Sequence, residues 1–199
     1  MIAQEIAAAA ARLVVEDGLE YAAAKRRAAR ALGHARGELP SNDTVEDEVR
    51  QYLALFCPDT QPAELAALRR IALQWMQRLP DFRPHLGGAA WRGTATRLSA
   101  LHLDLYCDDP KVAEIALINL GLPYDTAEAH GGGSGGRGGE PVSVLTLSAR
   151  SAELGLEVPL HLHVRDLDDL RGALKRDAQG RSWRGDAAAL ARRLAEDAA

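Results

Sequence analysis

Hydrophobic positions along residues 1–80 recur with a helical period, and turn residues divide them into four segments. Ile2 to Asp17 carries Ile2, Ile6 and Leu13 on an alanine-rich background and stops at Gly18, a natural helix terminator. Leu19 to Leu32 forms a second segment, stopped by Gly33. Pro40-Ser41-Asn42-Asp43 then supplies a turn and a cap. Asp43 with Glu46 resembles a capping box, and Val45, Val49, Tyr52, Leu53 and Phe56 mark the apolar face of a third helix ending before Pro58. Thr60, with Pro62 in the first turn, opens a fourth helix to about Leu79, closed by Pro80, with Leu65, Leu68, Ile71, Trp75 and Leu79 on its apolar face.

The pattern changes after Pro84. Leu86 to Thr94 is studded with glycine, and Leu101-His102-Leu103-Asp104-Leu105-Tyr106 alternates apolar and polar positions, the period of a half-buried strand. Asp109-Pro110 starts a helix from Lys111 to about Leu120, capped by Gly121, after which Leu122-Pro123-Tyr124 leads into an extended stretch. Residues 131–139 hold seven glycines in nine positions and read as a flexible loop. Strands are expected from Pro141 to Leu147 and from Leu156 to Val164. A helix is expected from Leu167 to Ala178, and a last one, capped by Asp186, runs to Glu196. Four helices followed by strands and closing helices predict an α+β fold: a helical N-terminal unit over 1–80, then an α+β core with C-terminal helices over 81–199, whose mixed sheet is packed with helices.

A chain of 199 residues can bury a core without disulfides, and Cys57 and Cys107 can build neither a disulfide framework nor a cysteine-based zinc site. The formal net charge of -4 argues against a dedicated duplex-DNA binder. No run approaches the roughly 20 apolar residues that span a bilayer, and Met1-Ile2-Ala3-Gln4-Glu5 lacks the basic segment of a signal sequence, so a cytoplasmic protein without a membrane partner is expected. Lys25-Arg26-Arg27 and Arg30 read as a solvated helix face, and Trp75, Trp91 and Trp183 as core residues. A P-loop ending and a Gly-x-Ser-x-Gly elbow are both missing, which removes the enzyme classes built on them.

The segment Arg92-Gly93-Thr94-Ala95-Thr96-Arg97-Leu98-Ser99-Ala100-Leu101-His102-Leu103-Asp104-Leu105 resembles the signature of the nucleotidyltransferase-fold superfamily. In that signature a Gly-Gly or Gly-Ser turn opens a short helix whose amides cradle a nucleotide's phosphates. Two carboxylates one residue apart on the next strand, with a third from a later strand, hold magnesium. The resemblance covers about residues 86–164. It implies Gly93 and Thr94 as the nucleotide-binding turn, with Asp104 as the second carboxylate and His102 at the place of the first, the two occupying the catalytic positions. The third carboxylate's strand, Glu157-Val158-Pro159-Leu160-His161-Leu162-His163, presents His161 and His163 instead. Magnesium prefers oxygen ligands, so these replacements imply altered or lost transferase activity, a pseudoenzyme.

If the two strands are neighbours, His102, Asp104, His161 and His163 share a face and form a candidate ligand set for a divalent metal: zinc, manganese or iron by their chemistry, magnesium by the resemblance. The plain alternative is that they are polar residues on the wet face of a sheet, alternating with the buried Leu103, Leu105, Leu160 and Leu162. The expected ligand is a nucleotide, a small anion or a divalent metal. The competing expectation is a non-enzymatic interaction module, a homodimer formed through its helices.

Overall fold

The computed structural model describes residues 2–130, 141–177 and 180–197; the glycine-rich loop expected at 131–139 lies outside them. The elements in chain order are α1 (Ile2–Asp17), α2 (Tyr21–Ala31), α3 (Asn42–Phe56), α4 (Gln61–Arg78), β1 (His85–Gly87), α5 (Gly88–Arg92), β2 (Leu101–Tyr106), α6 (Pro110–Asn119), β3 (Asp125–His130), β4 (Pro141–Ser151), β5 (Leu156–Arg165), β6 (Gly185–Asp186) and α7 (Ala187–Asp197). The fold is α+β. Two compact units are present, Met1–Leu65 with Thr94–Ser99, and Ala66–Gly93 with Ala100–Ala199, a division that falls inside α4. Among the described residues no helix is long and apolar enough to cross a membrane.

The first unit packs α1 against α2 and α3. Ile6, Ala7, Ala10, Ala11 and Val15 of α1 meet Ala24, Ala28 and Ala29 of α2 and Val45, Val49 and Leu53 of α3. Alanine keeps helix propensity high, and its single methyl lets helix backbones approach closely. The α3 cap is Ser41, whose hydroxyl accepts the Thr44 amide at 3.0 Å, two residues before the Asp43 of the expected Asp43–Glu46 box. Gly18 leaves α1 at φ 67°, and a Cβ there would lie 2.9 Å from the Leu98 Cβ, so the segment Thr94–Ser99 sits where only glycine leaves room. Gln61 donates to the Ala95 carbonyl at 2.9 Å and Glu64 accepts the Arg97 amide at 2.9 Å, which fastens this segment to the first turn of α4.

The second unit is built on a six-stranded sheet of order β3-β4-β5-β2-β1-β6. β2 and β5 are parallel, and the other neighbours are antiparallel. Strand alternation sorts the side chains by face. Leu86 of β1, Leu101, Leu103 and Leu105 of β2, Leu145 and Leu147 of β4 and Leu160 and Leu162 of β5 are buried on one face. Each fully buried leucine contributes about 2 kcal/mol, so this face alone is a large share of the fold's driving force. The opposite face carries His85, His102, Asp104, Thr146, His161 and His163.

Two expected elements differ. The helix expected from Leu167 to Ala178 is a 3-10 helix, Leu167–Gly172. Asp166 draws the start tight by accepting the Asp168 amide at 2.8 Å, and Gly172 withholds the propensity that would carry an α-helix onward. The glycine-studded stretch before β2 holds β1 and the single-turn α5, both too short to show a period.

Candidate functional site

β2 and β5 lie side by side in a register that pairs His102 with His161, Asp104 with His163 and Tyr106 with Arg165. In parallel strands paired residues point to the same face, so His102, Asp104, His161 and His163 all come together as the strand parity predicts. The imidazoles form a row. His102 Nδ1 and His163 Nε2 share a hydrogen bond of 3.1 Å, and the two rings stack with centroids 5.4 Å apart. The His161 ring lies 5.1 Å from that of His102, and its Nδ1 is hydrogen-bonded to Thr146 Oγ1 of β4 at 3.0 Å.

Asp104 is spent within the fold. Its Oδ1 accepts Arg165 Nε at 2.6 Å, and its Oδ2 pairs with Arg184 Nη1 at 2.6 Å. Arg184 also donates to the Tyr106 hydroxyl at 3.3 Å. Burial, helped by the Asp104 charge, pushes the Tyr106 phenol above its ordinary range. Next to Asp104 on β1 is His85, only 5% exposed, its ring edge-on to Tyr106 at 5.3 Å. Burial and then the neighbouring His102 depress the His163 imidazole to about 4, against the opposing pull of Asp104. At neutral pH His163 is therefore a neutral donor–acceptor group.

In this geometry the residues of the expected metal set are engaged with protein partners. A metal needs lone pairs converging on one point. Here both Asp104 oxygens bind guanidinium groups, and His102 and His163 turn a nitrogen towards each other. Among the described residues no group of three or more His, Cys, Asp or Glu is arranged to hold a metal ion.

The expected phosphate turn, Gly93-Thr94, follows α5 and opens no helix. Gly93 ends α5 as its left-handed cap, at φ 90°, and its amide donates to the Ala89 carbonyl at 2.8 Å. Thr94 is buried in the helical unit with its hydroxyl unpartnered among the described residues, so neither residue offers an open amide to a phosphate. The glycine turn beside the site is Gly87–Gly88, which opens α5. Gly87 pairs with His102, and a Cβ on Gly88 would stand 3.2 Å from His102 Cδ2.

Sequence reasoning missed Arg165, Arg184, His85 and Gly87–Gly88. Arg165 continues the parity of His161 and His163, a signal that strand alternation contains. Arg184 lies in a turn before a two-residue strand, where no local pattern announces it. Trp91 is buried as expected, with its Nε1 donating to the Ser182 carbonyl at 2.9 Å, while Trp183 is half-buried with the Arg92 guanidinium 5.5 Å from its ring.

These features define an α+β protein with a mixed sheet whose polar face carries a histidine row and a carboxylate clamped by two arginines. Compared with known proteins, no family model matches the chain, and no curated protein or solved structure matches it.

Proposed function

We propose that this is a divergent nucleotidyltransferase-like protein that binds a nucleotide, or another phosphate-bearing anion, on the His102–Asp104 face and has lost magnesium-dependent transfer. The observation that carries the reading is the clamp on Asp104. Two guanidinium groups against one carboxylate leave the cluster with a net positive charge, suited to an anion and unsuited to two magnesium ions. The neutral His163 and the Gly87–Gly88 turn at the edge of the same face support it by admitting a ligand without adding negative charge.

Calorimetric titration of the full chain with a nucleoside triphosphate tests the reading. Binding is expected to be equally tight in EDTA and in magnesium, and Arg165→Ala should weaken it about tenfold, the loss of one charge-assisted contact. Magnesium-dependent nucleotidyl transfer, or no binding in either buffer, overturns it.

A second reading, a module that self-associates through its helices, is favoured by one observation. Val112, Ile115 and Ile118 on α6 are 48%, 54% and 61% exposed, while Ala113 and Leu117 face inward. Sedimentation that depends on protein concentration, and loses that dependence in Ile115→Asp, would support it.

A further inference from the structure

A cleft of about 570 Å³ opens in the sheet unit between the end of α4, the turn before β1, the 3-10 helix at Leu167–Gly172 and the start of α7. Its apolar wall includes Met76, Pro80, Pro84 and Leu170, and its polar groups are Gln77, Arg83, His85 and Asp186. The volume falls in the range of small-molecule sites, about 300–1,000 Å³.

Three of the polar groups are held in place. His85 is 95% buried by its 5% exposure, and its Nδ1 is hydrogen-bonded to the Arg83 carbonyl at 2.8 Å. A carbonyl only accepts, so Nδ1 carries the proton and Nε2 is the acceptor that His85 presents to the cleft, without a partner among the described residues. Arg83 occupies the left-handed region at φ 46°, ψ 56°, the one non-glycine residue to do so among the described residues. Backbone held there by its surroundings is a feature of binding sites. Here it turns the Arg83 carbonyl onto His85, while the Arg83 guanidinium makes no ion pair among the described residues. Asp186 is the cross-strand partner of His85, and its Oδ1 caps α7 by accepting the Ala189 amide at 2.8 Å. Directly opposed residues on antiparallel strands have Cβ atoms about 5 Å apart. His85 Nε2 and the second Asp186 oxygen are therefore neighbouring acceptors on one face.

We infer that this cleft binds a sugar phosphate: two adjacent hydroxyls donate to His85 Nε2 and Asp186, the carbon skeleton lies on Met76, Pro80, Pro84 and Leu170, and the phosphate pairs with Arg83. The acceptor pair selects a ligand rich in donors, and the lone cation selects its acidic end. The N-terminus of α7, where Ala187 and Ala188 line the cleft, adds favourable potential for the phosphate. The same chemistry is carried by a free sugar phosphate and by the ribose phosphate of a nucleotide. The inference does not depend on the anion reading of the His102 face, whose marker is Arg165.

Calorimetry on the full chain with ribose 5-phosphate, AMP, ribose and inorganic phosphate tests it. Saturable binding of ribose 5-phosphate or AMP, with ribose and inorganic phosphate each at least about tenfold weaker, is expected. The tighter of the two esters identifies the source. Arg83→Gly suits φ 46° and should leave the melting temperature unchanged or raised, while affinity falls about tenfold. Asp186→Asn keeps a capping side chain and should weaken ribose 5-phosphate without weakening inorganic phosphate. Arg165→Ala should leave ribose 5-phosphate binding at the wild-type level. Absence of saturable binding, inorganic phosphate binding as tightly as the esters, or wild-type affinity in both Arg83→Gly and Asp186→Asn overturns the inference.

Discussion

His102 and His163 stand on neighbouring parallel strands, two residues out of direct register, and share a single hydrogen bond between Nδ1 and Nε2 at 3.1 Å. One ring donates and the other accepts, so at most one proton lies between them. A second proton between the two nitrogens would set one N–H against another, remove the bond and place a cation on a part-buried surface.

This makes stability depend on pH in a definite direction. His163 is depressed from an ordinary value of 6.5 to about 4, chiefly by burial and next by His102. Above 6.5 the folded and unfolded chains are both neutral at this position and the fold keeps its full stability. As pH falls from 6.5 towards 4 the unfolded chain takes up a proton that the folded chain refuses, and stability declines by up to about 3 kcal/mol. Urea unfolding at pH 7 and pH 4.5 should show that loss, and His163→Asn should flatten it. An equal slope in the variant would assign the effect to other groups.

Asp104 is the second point of leverage. Its side chain is 8% exposed between Arg165 and Arg184, themselves 24% and 26% exposed. Asp104→Asn leaves two guanidinium groups facing each other without an anion, and removing one partner of a buried ionic cluster costs about 3 kcal/mol or more. Denaturant unfolding should report that loss. Pairing Asp104→Asn with Arg184→Met should recover part of it, because the second change removes a stranded charge.

Strand alternation made one half of this site legible. Period-two patterning in β2 and β5 places His102, Asp104, His161 and His163 on the face opposite the leucines, whatever the sheet order. The same patterning is silent about what each polar group does there. A carboxylate between histidines reads as a metal ligand until Arg184, eighty positions along the chain from Asp104, closes on it. Helix boundaries were legible where a cap or proline fixed them, as Asp109-Pro110 does for α6. They were not where tertiary contact decides, as in β1, whose three residues become a strand because β2 and β6 flank them.

Gly185 on β6 shows how strongly tertiary contact constrains a short strand. A Cβ there would lie 2.0 Å from Trp91 Cη2, so the β6 backbone rests directly on the indole, and the Arg193 guanidinium lies 3.7 Å from the ring centroid. Gly185→Ala must push Trp91 out of its buried position or lift β6 from β1. Overpacking of this kind costs about 2–3 kcal/mol. Thermal unfolding followed by tryptophan fluorescence should show the loss together with an altered folded-state emission. Retention of wild-type stability would mean that the indole has room to move.

Gly88 and Gly33 separate a backbone effect from a site effect. Both adopt positive φ, 65° and 80°, where an L side chain costs about 1–2 kcal/mol. Around Gly33 a Cβ meets nothing within 4 Å, so Gly33→Ala should cost that amount and leave the pH dependence of stability as in the wild type. At Gly88 the Cβ meets His102 Cδ2 at 3.2 Å and Cβ at 3.7 Å, which forces the imidazole to give way. Gly88→Ala should therefore carry the same backbone cost and also disturb the His102–His163 bond. With His102 displaced, its charge bears less on His163, whose folded-state pKa then rises, and the loss of stability between pH 7 and 4.5 becomes shallower. Parallel urea titrations of the two variants at both pH values make the comparison. Identical pH responses in Gly88→Ala and Gly33→Ala would show that His102 is not what holds His163 neutral.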